Sequence, residues 1–168
     1  MRWLAIAASA LSMGCASATE LTDAALMGPF VLHEPEPCGM AFDVQAPELL
    51  AATLTAAERW SAATGCDVRV ADGGLPIIIM DELQTTAGDI AAGACRHREG
   101  EPCSRIDIHS IYGGPRTIAH EIGHALAGVE GHSATGLMAE GAPGGQIDSA
   151  SLELVCRRMH CETFAPEG

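Results

Sequence analysis

Residues His120-Glu121-Ile122-Gly123-His124 put two imidazoles and a carboxylate at a spacing that lets one helix hold a metal ion and act on its water. Histidines four apart share a helix face, so both rings can reach one ion. Glu121 adjoins the first histidine, within reach of a water on that ion. Such a trio supports hydrolysis: the metal acidifies the water and the carboxylate takes its proton. A catalytic site of this kind normally has a third protein ligand.

The candidates for that ligand lie downstream. On an unbroken helix His132 would stand about 18 Å from His120, at 1.5 Å per residue. It can bind only if the helix stops and the chain folds back, and Gly128 and Gly131 give the freedom for that reversal. Ordinary zinc-ligand preferences favour His132 over Glu130. In a different zinc class, the thermolysin-like enzymes, a glutamate from a later helix completes the site, and here Glu140 or Glu153 would serve. His33, His97, His109 and His160 are expected to be ordinary surface or packing histidines.

The surrounding pattern supplies the scaffold. Residues 46–64 carry Leu49, Leu50, Leu54, Ala57 and Trp60 near a 3.6-residue period, and Gly65 can end that helix. Residues 66–70 alternate as a half-buried strand would, and the β-branched run 75–80 suggests a central one. Residues 81–104 are rich in glycine and expected to form loops with an irregular edge strand. Residues 105–111 read as a further strand. Pro115 suits the first turn of the motif helix, which should end at Gly128. Asp148 or Ser149 can cap a last helix running to Met159 with Leu152, Val155 and Met159 inward.

The stretch HEIGHALAGVEGHSATGLM, residues 120–138, resembles the metzincin metalloproteases, above all the matrixin branch. In that pattern, HExxHxxGxxH, Ala127 takes the glycine position and Glu130 the third-histidine position, so His132 stands two residues late. The pair His132-Ser133 and the pair Leu137-Met138 resemble the matrixin run leading to the methionine turn, which makes Met138 the candidate for that turn. The resemblance implies an α+β fold: a small twisted mixed sheet packed with three main helices, and a zinc cleft between upper and lower parts. It implies a Zn2+-dependent endopeptidase with His120, His124 and His132 as ligands and Glu121 as general base. A peptide or protein substrate would add as an antiparallel strand to an edge near residues 88–95 or 105–111. The loop 140–147 would border the pocket after the cut bond. Some metzincins add a tyrosine after the turn; the sole tyrosine here, Tyr112, precedes the motif.

Bulk properties agree with an exported domain. The 168 residues suffice for one core, the net charge is -13, and all nine basic residues are arginine. So acidic a chain has no footprint for nucleic acid. Residues 1–18 read as a signal peptide, cleaved either before a lipid-bearing Cys15 or after Ala18. Residues 19–37 read as a flexible lead-in and 38–168 as the catalytic domain, expected to be monomeric and to meet a membrane only through the lipid. Without Cys15 six cysteines remain, and an even count in an exported domain suggests three disulfides. Nearness along the chain pairs Cys38 with Cys66, Cys95 with Cys103 and Cys156 with Cys161. Pro37-Cys38-Gly39 also resembles the cysteine switch of matrixin propeptides, which would need Cys38 as a thiol. Two other function classes are a zinc-stabilised binding domain and a disulfide-rich structural lipoprotein.

Overall fold

The computed structural model describes residues 38–98, 101–128, 131–141 and 145–161. The expected signal peptide, Cys15, His33 and Glu130 lie outside them. In chain order the elements are β1 (Gly39–Val44), α1 (Leu50–Thr64), β2 (Asp67–Val70), β3 (Leu75–Met80), β4 (Gly93–Arg96), β5 (Arg105–His109), α2 (Pro115–Ala127) and α3 (Ser149–Met159). The fold is α+β, with one five-stranded mixed sheet and three helices.

The strand order is β2-β1-β3-β5-β4. Four strands run parallel and β4 pairs antiparallel with β5. Strand β3 is central, as its run of isoleucines suggests; Ile77 is its fully buried residue and the rest are half-buried. Three sequence expectations need correction. Residues 39–44, read only as the start of the domain, form β1, inserted between β2 and β3. Residues 105–111 do not offer an edge: β5 ends at His109 and is flanked by β3 and β4, so β4 alone borders the open side there. Leu50 and Leu54 do not face the core; each is 42% exposed, and the buried stripe of α1 is Thr53, Ala56, Ala57, Trp60 and Thr64. The threonine hydroxyls in that stripe donate to Leu49 and Trp60 carbonyls at 2.9 and 2.7 Å, so their burial leaves no orphan donor.

The core joins Phe42, Val68, Ile77, Ile106 and Ile108 from the sheet to Trp60, Ile118, Ile122, Leu126 and Val155 from the helices. Alternate strand residues face the helices, as the period of two requires. Trp60 ties α1 to α2 by donating its indole N–H to the Ala119 carbonyl at 2.8 Å. Gly65 and Gly128 both close their helices in the left-handed conformation. The three disulfides Cys38–Cys66, Cys95–Cys103 and Cys156–Cys161 are those expected from proximity. With Cys38 bonded to Cys66, the thiol a cysteine switch needs is gone. On the far face of the sheet, fully buried Asp107 accepts from Arg96 Nε at 2.8 Å and Arg105 Nε at 2.6 Å. The charge-assisted bond from Arg96 joins β4 to β5, while that from Arg105 lies within β5.

Candidate metal centre

Helix α2 starts at Pro115, whose missing N–H costs nothing in a first turn, and stops at Gly128. Arg158 from α3 fills the space beside Gly128 and donates to the Ala125 carbonyl at 3.1 Å. This satisfies a carbonyl that the helix end would otherwise leave open. On the cleft side of α2, His120 and His124 bring their Nε2 atoms to 3.1 Å from each other.

After Gly128 the chain reverses and delivers His132. Its ring lies parallel to His120, with centroids 5.3 Å apart and planes at 21°, and edge-on to His124 at 4.9 Å. The ligating atoms of His120, His124 and His132 lie within 4.8 Å of one another, a group that could hold a metal ion. Among the described residues no other group of ligating side chains converges this way. Glu140 is exposed at the rim of the cleft, and Glu153 is exposed on α3, where it pairs with Arg157.

A hydrogen-bonded bracket holds the returning segment. Ser133 N–H donates to the Met138 carbonyl at 3.0 Å, and Leu137 N–H donates to the Gln146 carbonyl at 2.8 Å. Asp148, the cap of α3, accepts from Thr135 Oγ1 at 2.7 Å and from Ser151 N–H at 2.9 Å. The Leu137 carbonyl then meets His120 Nδ1 at 2.6 Å. A carbonyl only accepts, so Nδ1 must carry the proton and Nε2 is left with a lone pair toward the cluster. Met138 is fully buried beneath α2, packed against Gly123 and near Trp60.

Glu121 lines the same cleft as the histidines, lies against Gly93 of β4 and is 6% exposed. Burial pushes its carboxyl up to about 7, while the Cys95 N–H pulls in the opposite direction. Burial also lowers His124 to about 3, helped by charge repulsion from His120, His132 and His97. His120 is lowered too, chiefly by burial, against the Leu137 hydrogen bond. Neutral imidazoles with free lone pairs are what a divalent metal requires, so the three-nitrogen donor set fits such an ion.

The cluster opens into a cleft of about 990 Å³. Strand β4 walls one side through Gly93, Ala94 and Cys95, and Arg116 and Thr117 from the first turn of α2 line it as well. Sequence reasoning missed three participants. His97, read as a loop histidine, borders the cleft. The Leu137 carbonyl and the Cys95 N–H are main-chain groups, which residue type cannot reveal. No family model matches this chain, and comparison with curated proteins returns no match.

Proposed function

We propose that this chain is an exported zinc-dependent endopeptidase of metzincin, matrixin-like type. The observation that carries the reading is the meeting of His120, His124 and His132 in a cleft that also holds Glu121 and is walled by an edge strand. Three imidazoles with an adjacent buried carboxylate match the needs of zinc hydrolysis more closely than those of a purely structural zinc, which is usually closed by a fourth protein ligand. Zinc held there would polarise a carbonyl and acidify water.

The chain's own groups then divide the work. Glu121 takes a proton from the attacking water and returns it to the leaving nitrogen. His120 is kept in its ligating tautomer by Leu137. Strand β4 offers its open edge to an extended peptide, which would add as a further antiparallel strand. Met138 under Gly123 supports the floor of the site, the place a methionine turn would hold. The three disulfides support export, since such bonds persist in oxidising compartments. The cleavable leader and a lipid on Cys15 belong to the same proposal.

The test is hydrolysis of casein or a labelled peptide by the purified protein, with and without a zinc chelator, alongside metal analysis. Chelator-sensitive cleavage at one zinc per chain is expected. Stoichiometric zinc with no cleavage would favour a zinc-stabilised binding domain instead.

A further inference from the structure

Strand β4 has a direct relation to the carboxylate. In its ladder with β5, the Ala92 carbonyl accepts from His109 N–H at 3.0 Å and the Arg96 carbonyl from Ser104 N–H at 2.7 Å. Peptide groups in an antiparallel pair alternate in direction, so Ala92, Ala94 and Arg96 turn theirs toward β5. Gly93 and Cys95 therefore turn theirs to the open edge. An N–H on such an edge ordinarily meets water or an incoming strand. The Cys95 N–H lies on that edge, two residues from the Gly93 seat, and it favours the charged form of the Glu121 carboxyl.

Gly93 makes that approach possible. A Cβ built there would come within 2.8 Å of Glu121 Cγ, 2.9 Å of Glu121 Oε1 and 2.6 Å of Thr117 Cγ2. Gly93 has no left-handed backbone, so a turn does not explain the glycine. The space does: Glu121 lies where any side chain at 93 would go. The strand is itself fastened, through Arg96 to Asp107 and through Cys95 to Cys103. A seat made by a fixed strand can hold a carboxylate to the tolerance that proton transfer needs.

We propose that Gly93 and Cys95 are positioning residues for Glu121, the first giving its side chain a seat and the second orienting its carboxylate through a main-chain N–H. The inference rests on the reading of Glu121 as general base. Two measurements on the zinc-loaded full chain test it. Gly93→Ala should keep wild-type zinc content and a KM within about twofold, while kcat falls about ten- to a hundredfold, as a displacement near 1 Å would cause. Amide hydrogen exchange needs no activity: Cys95 should exchange at least about tenfold faster in Glu121→Ala than in wild type, with Ala94 unchanged. Equal Cys95 exchange in the two proteins, or a wild-type kcat in folded Gly93→Ala, would overturn the proposal. A wild-type chain without zinc-dependent cleavage would instead defeat the peptidase reading, and the exchange rates would still decide the seat.

Discussion

The sulfur of Met138 occupies the space that a Cβ on Gly123 would need, and that Cβ would also come within 2.8 Å of the Trp60 indole. Gly123 sits between the two metal-cluster histidines of α2, so the methionine is packed against the helix at the level of the site. Gly123→Ala should therefore destabilise the domain by about 1–3 kcal/mol through overpacking. Thermal unfolding would show the loss. Met138→Ala made in the same chain should recover part of it, because it vacates the contested volume; additive losses in the double variant would contradict the contact.

Removing one imidazole should empty the metal centre. His132→Ala is expected to lose stoichiometric zinc while keeping its fold, because His120 and His124 alone leave the site without its third nitrogen. Metal analysis after dialysis, with circular dichroism as the folding control, measures this. Retained zinc in folded His132→Ala would transfer the third-ligand role elsewhere.

The carboxylate should be separable from metal binding. Glu121→Gln preserves shape but cannot take a proton. It should hold zinc as the wild type does and lose about 10²- to 10⁴-fold in kcat, the usual weight of a general base. Steady-state kinetics on a labelled peptide would decide it, and undiminished turnover would remove Glu121 from the chemistry.

Acidity should act on the metal-free domain through two opposing groups. Glu121 is raised from 4.5 to about 7, so its contribution to stability is fully present below 4.5 and lost as pH rises through 7. His124 is lowered from 6.5 to about 3, so its contribution is present above 6.5 and lost as pH falls toward 3. His120 shifts in the same direction as His124. Between pH 7 and 5 the carboxyl gain offsets the imidazole loss. In Glu121→Gln only the loss remains, so its urea midpoint should drop more between pH 7 and 5 than the wild-type midpoint does. Parallel pH dependences of chelator-treated wild type and variant would refute this balance.

The Cys38–Cys66 bridge ties the start of β1 to the start of β2, far from the histidines in sequence. Replacing both cysteines by alanine should cost about 2–4 kcal/mol of stability, chiefly by freeing the unfolded chain. Denaturant unfolding measures the cost, and zinc content at low denaturant should stay unchanged.

Much of the scaffold was legible because its causes are local. Gly65 and Gly128 stop helices by their own backbone freedom, Pro115 starts one, and Asp148 caps another by reaching Ser151. The cysteine pairs follow from nearness along the chain. The H-E-x-x-H spacing alone places His120 and His124 on one face, because the helical period is fixed. Other features required the folded chain. β1 escaped notice because its alternation of Met40, Phe42 and Val44 is short, and only packing against the helices puts it inside the sheet. Which strand forms the edge depends on pairing order, and pairing is a relation between distant segments.

The site divides in the same way. The sequence by itself determined the donor types, the pair on α2 and the acid beside them, since one turn of helix carries all three. It named His132 as a ligand only on condition that the chain reverse. The tertiary structure decided that reversal, through the bracket from Ser133 to Ser151, and fixed the tautomer of His120 through Leu137. It also decided that Glu121 faces Gly93 and Cys95, a match between the volume of one residue and its absence in another 28 positions earlier. Spacing along the chain records local geometry, whereas such fits arise only when separate elements pack.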